Sequence, residues 1–161
     1  MEAVIDKLRE ELISFKDTLS EDGGCADILD IQAIYFGDPG LIPSILFPCF
    51  TVEPTRDDPA GETTGYEIRD LQVTISVLID ARDYFDATVD EADGDRHLVQ
   101  TMHRLRRWLR TVANRHLDDQ PGVREVKVTR VEYTGQVRGD VISKTAQVTV
   151  EVNKQYDKVR N

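Results

Sequence analysis

Apolar residues between positions 98 and 112 recur at helical steps. Leu98, Met102, Leu105, Leu109 and Val112 are spaced by four, three, four and three. That spacing places all five on one face of an α-helix. Val99, Trp108, Ala113 and Leu117 widen the stripe to about half the cylinder. A lone helix cannot hide such a face from water, so this one must lie on a sheet or another helix. Burying each large side chain is worth roughly 1.5–3 kcal/mol. The other side carries His103, Arg107, Arg110 and Asn114, with Arg104 and Arg115 on a flank. No Asp or Glu occurs from His97 to Leu117, so Arg104, Arg107 and Arg110 have no acidic neighbour three or four residues away, whereas Arg115 is followed by Asp118 and Asp119.

A first helix is predicted over residues 1–19. Ile5, Leu8, Leu12, Phe15 and Leu19 form its apolar stripe, and Ser20-Glu21-Asp22-Gly23-Gly24 stops it. Residues 27–36 read as a short helix through Ile28, Ile31 and Ile34, or as a strand at Ala33-Ile34-Tyr35-Phe36. The apolar run from Pro43 to Pro54 is an edge strand, or a strand beginning after Pro48, because proline has no ladder donor.

Residues 55–65, with Pro59, Gly61 and Gly65, read as a long mobile connection. The clearest strand follows, with Leu71, Val73, Ile75, Val77 and Ile79 alternating with Gln72, Thr74, Ser76 and Leu78. Residues 80–95 read as an acidic loop ending at Asp95, the expected N-cap of the long helix. After the helix, Val126 and Val128 share one parity while Val131 and Tyr133 have the other. That phase change predicts a bulge near Thr129 and Arg130. Ala146, Val148, Val150 and Val152 make the last strand, with a polar tail from about Lys154.

The pattern predicts one α+β domain over residues 1–161: a mainly antiparallel sheet, with the long helix and the N-terminal helix packed on one face.

Charge changes this picture in one respect. Residues 1–95 hold 23 acidic and 6 basic side chains, a net of −17, whereas residues 96–161 hold 7 and 14, a net of +7. Either the halves neutralise each other within one fold, or the subunit presents one acidic and one basic surface through which copies can meet head to tail. The start of the chain has no basic stretch leading into an apolar run, and no apolar run reaches membrane length. Cys25 and Cys49 match no metal or redox spacing, which fits a reduced, intracellular origin.

Candidate chemistry is sparse. His97, His103 and His116 lack metal-binding spacing, and no glycine loop matches a nucleotide fingerprint. The acidic loop lacks the calcium-binding register. No metal and no cofactor is expected. The best catalytic set is Asp119 with Glu125 and Lys127, an acidic pair plus lysine of the kind a Mg²⁺-dependent nuclease uses. The bland alternative is solvated charge on a strand. An acidic chain is repelled by DNA at long range, so sequence-specific DNA binding is not expected. A host α+β binding module with a small ligand is a further class.

The order of segments resembles the tail terminator proteins of long-tailed bacteriophages. The resemblance runs through the leading amphipathic helix, Gly37-Asp38-Pro39-Gly40-Leu41-Ile42-Pro43 before a proline-bounded strand, and the apolar strand Val73 to Ile79. It continues through Leu105-Arg106-Arg107-Trp108-Leu109 in the long helix and the closing Val148-Thr149-Val150-Glu151-Val152. It implies a non-enzymatic virion protein made in the host cytoplasm, a homo-hexameric ring that caps the tail tube. Its partners would be the tail tube protein and a head–tail connector or neck protein, with no membrane contact. Other neck or tail-completion proteins share the style. On that reading Arg104, Arg107, Arg110 and Arg115, together with Asp90, Glu91 and Asp93, would lie at the subunit interface, the arginines against acidic surface of a neighbour. Arg56, Asp57, Asp58, Asp83 and Asp86 would contact tube or connector.

Overall fold

The computed structural model describes residues 2–21, 29–37, 46–80, 91–114, 117, 121–138 and 141–157. Side chains are described throughout these segments except at 2, 19–21, 91–95, 114, 135–138 and 141–143. The elements run α1 (Glu2–Glu21), β1 (Ala33–Phe36), β2 (Cys49–Glu62), β3 (Tyr66–Asp80), α2 (Glu91–Asn114), β4 (Val123–Arg138) and β5 (Val141–Asp157). The fold is α+β. One five-stranded sheet has the order β1-β2-β3-β5-β4, with β1 parallel to β2 and every other pairing antiparallel.

Strand alternation sorts the two faces of the sheet. Leu71, Val73, Ile75 and Val77 of β3 lie opposite Val152, Val150, Val148 and Ala146 of β5. All eight are buried and join Phe50 and Val52 of β2 in one core. The helices contribute Val4, Leu8, Leu12 and Phe15 from α1, and Leu98, Met102, Leu105, Leu109 and Val112 from α2. Phe15 joins the layers, its ring centroid 6.2 Å from that of Phe50 and 5.8 Å from that of Trp108. Thr101, fully buried in α2, accepts a 3.0 Å hydrogen bond from the Leu29 amide and so ties the segment before β1 to the helix layer.

The structure departs from the sequence reading in five places. Residues 55–62 are strand rather than mobile loop: β2 runs on to Glu62, and the turn is confined to 63–65. Pro54 and Pro59 are accommodated because β1 pairs only with Cys49 to Val52, which leaves β2 without an outer neighbour among the described residues from Glu53 onward. A register shift follows each proline, between Pro54 and Arg56 and between Pro59 and Gly61. For the same reason the strand after Pro48 is an edge only over its second half.

The long helix begins at Glu91, four residues before the expected cap Asp95, so that the acidic residues 91, 93 and 95 occupy its first turns, where its dipole favours negative charge. Val99 is 47% exposed and lies outside the buried stripe. Residues 154–157 of the expected polar tail are instead the end of β5, held by pairing of Lys154 with Arg69 and of Tyr156 with Glu67, and residues 158–161 lie outside the described residues. The predicted bulge is present as a register shift between Val128 and Val131.

Candidate functional site

Two surfaces concentrate the polar side chains, one on each side of the sandwich. On the helix side, the outward face of α2 presents His103, Arg107 and Arg110, all exposed, while Arg104 is half-buried. No ion pair among the described residues joins Arg107 or Arg110. The Thr111 hydroxyl donates back to the Arg107 carbonyl at 3.2 Å, an arrangement internal to the helix. Arg115 and Asp90 lie outside the described residues, and the side chains of Glu91 and Asp93 are also outside them.

The sheet's other face carries ordered rows of polar residues. Thr55, Thr74 and Thr149 form one row across β2, β3 and β5, with hydroxyl oxygens 3.5 and 3.4 Å apart. Thr129 of β4 extends it by accepting the Thr149 amide at 3.1 Å. In the next row Gln72 Nε2 donates to Glu151 Oε1 at 3.1 Å, with Lys127 of β4 opposite Glu151. Beyond it Asn153 Nδ2 donates to Asp70 Oδ1 at 2.7 Å. A shallow trough of about 310 Å³ lies over these rows, walled by Arg56 on one side and by Glu125 and Lys127 on the other. The acids and amides of the trough are bonded to one another, so it is an internally satisfied surface.

The candidate tube contacts divide between the two faces. Arg56 ion-pairs Asp58, and both lie on the open sheet face with their partners Gln72 and Asp70. Asp57, one residue between them, pairs with Leu71 and belongs to the helix-side face. There its carboxylate is 3.0 Å from Arg69 Nε, and Glu67 is 3.5 Å from the same nitrogen. Lys154 is only 8% exposed in this cluster, with its ammonium 5.3 Å from the Tyr156 ring centroid. Burial pushes the Tyr156 hydroxyl pKa up; Asp57 and Glu67 add to the rise and Arg69 opposes it. Asp83 and Asp86 lie outside the described residues.

The nuclease set is not assembled by what is described. Lys127 Nζ is 3.1 Å from Glu125 Oε2, and the two side chains are 62% and 57% exposed. Asp119 lies outside the described residues. Among the described residues no three His, Cys, Asp or Glu side chains gather as a metal site, and no helix is long and apolar enough to cross a membrane.

Sequence reading missed Asp70, Gln72, Glu151 and Asn153. Their alternation with apolar residues was visible, but their meeting depends on the β3–β5 register, which alternation alone does not fix.

No protein-family model and no curated protein matches the chain. Among solved structures, a chain from the virion of a native gene transfer agent particle is similar over 79% of this chain and 81% of that one. The TM-score is 0.35 and the identity 13%. A likeness that distant says nothing of this chain's partners or role.

Proposed function

We propose that this chain is a non-enzymatic structural subunit of a phage virion. Copies form a ring, a hexamer on the family resemblance, on the last ring of tail tube protein. The ring ends tube growth and presents its other side to a head connector or neck protein at the head–tail junction. The assembly half of this reading rests on one observation: Arg107 and Arg110 stand exposed without an ion pair among the described residues, in a chain whose first 95 residues carry −17. The place in the virion rests on the resemblance in segment order, with which the α+β architecture agrees.

A tube of identical rings exposes the same growing surface after each addition, because head-to-tail stacking does not close on itself. A subunit that binds that surface without regenerating it stops growth. The β2–β3 hairpin, carrying Arg56 and Asp58 on one face and Asp57 on the other, supplies the tube or connector contact.

The test is to add the purified protein to polymerising tube protein and to measure tube lengths by electron microscopy. Capping at low molar ratio is expected, and the protein should sit at the head–tail junction of purified virions. Unchanged lengths together with absence from that junction would sink the proposal. So would Mg²⁺-dependent DNA cleavage abolished by Glu125→Gln, which would favour the nuclease.

A further inference from the structure

We infer that α1 of one copy docks antiparallel along α2 of a second copy through the outward lines of the two helices. The inference deepens the assembly reading above and rests on it for the identity of the partner. Asp6, Glu10, Ile13 and Asp17 follow at steps of four, three and four and are all exposed, so they form one line down the outside of α1. Val99, His103, Arg107 and Arg110 follow at steps of four, four and three and form the corresponding line on α2.

Each line holds one large apolar residue in the open, Ile13 at 44% exposure and Val99 at 47%. A single exposed apolar residue is ordinary. These two are set within lines of opposite sign. Asp6 and Asp17 have no ion pair among the described residues, and Glu10 shares Lys7 with Glu11 at 3.5 Å. The nearby basic residue Arg9 is turned over the Phe36 ring, 4.7 Å from its centroid.

Spacing and the charges that lack an ion pair among the described residues together select the direction. With Ile13 set against Val99 and the helices antiparallel, Glu10 meets His103 and Asp6 meets Arg107. At 1.5 Å per residue, Ile13 to Asp6 covers about 10.5 Å and Val99 to Arg107 about 12 Å, a difference that side chains absorb. A parallel alignment can also set Ile13 against Val99, but it turns Glu10 toward Arg96, which already has an interaction within its own chain, and takes Asp6 away from Arg107. Each subunit offers one line to each of two neighbours, so the contact is heterologous and closes into a ring when the rotation allows.

The experiment uses the full chain and follows self-association by sedimentation, with Trp108 fluorescence as the check on folding. Reversing α1 (Asp6→Arg with Glu10→Arg) or α2 (His103→Glu with Arg107→Glu) should weaken association about tenfold or more, a loss of about 1.4 kcal/mol. Both reversals in one chain should restore it. In a Cys25→Ser background, Ile13→Cys and Val99→Cys copies mixed under mild oxidation should give a mixed disulfide dimer. A parent that stays monomeric, single reversals that associate like the parent, or a combined variant that stays dispersed would each overturn the contact. Tube capping is scored separately. A parent with charge-rescued association that fails to cap tubes loses the virion role and keeps the contact; a parent that caps and stays monomeric does the reverse.

Discussion

Phe15 of α1 and Trp108 of α2 meet ring against ring, their centroids 5.8 Å apart and their planes inclined at 53°. Phe15 is 3% exposed and also touches Phe50, so one side chain ties both helices to the sheet. Phe15→Ala removes that tie and leaves a cavity, at a cost of about 3–5 kcal/mol. Trp108 is the chain's single tryptophan, so its emission reads this contact directly. A lower urea midpoint and red-shifted emission are expected; unchanged emission would mean that α1 does not cover Trp108.

Leu105 is fully buried at the centre of the α2 stripe. Leu105→Asp either buries an unpaired carboxylate or expels the helix, and either outcome costs several kcal/mol. That is a large share of a typical domain's stability. A variant that melts with the parent would put this face in water and the architecture in error.

The α2 stripe was legible because burial on a helix follows a fixed period, and Leu98, Met102, Leu105, Leu109 and Val112 all lie inside. Val99 was over-read: a helix lying on a sheet buries less than half its cylinder, and Val99 is on the open side. The β4 bulge was legible because valines on one side of it and on the other keep different parity. The far half of β2 was not. Pro54, Pro59 and Gly61 read as loop punctuation until it is known that β1 stops at Phe36. How long a neighbouring strand is cannot be read from the strand itself. The arginine line was visible in advance, whereas the acidic α1 line and the trough required the helices to be placed and the register fixed.

Gly122 precedes β4 with φ of +81°, and a Cβ there would lie 2.2 Å from the Gln155 carbonyl oxygen. The Gly122 carbonyl accepts the Gln155 amide at 2.8 Å, so neither backbone can retreat without losing that bond. Gly122→Ala combines positive-φ strain, about 1–3 kcal/mol, with a backbone clash. Gly65→Ala is the control, because its Cβ would meet nothing within 4 Å. Urea unfolding should lower the midpoint for Gly122→Ala at constant slope, and leave Gly65→Ala within about 0.5 kcal/mol of the parent.

Cys49 is fully buried on the sheet face away from the helices, opposite Leu78 of β3. Burial pushes its thiol pKa up from 9.0 to about 12. The folded state therefore keeps a proton that the unfolded chain releases above pH 9. Between pH 9 and about 12 the native state binds more protons than the unfolded state, so the thiol's contribution is complete below pH 9 and is lost as pH rises through that window. The slope reaches about 1.4 kcal/mol per pH unit at most. Other lysines and tyrosines titrate there too, so the informative quantity is the difference between parent and Cys49→Ala. The variant should start less stable at pH 7 and lose stability less steeply above pH 9, by up to one proton's worth of slope. In a Cys25→Ser background, a thiol reagent at pH 8 should find no reactive group in the native protein and one after denaturation. Equal alkaline slopes in parent and variant, or prompt modification of the native thiol, would show that Cys49 is open to water.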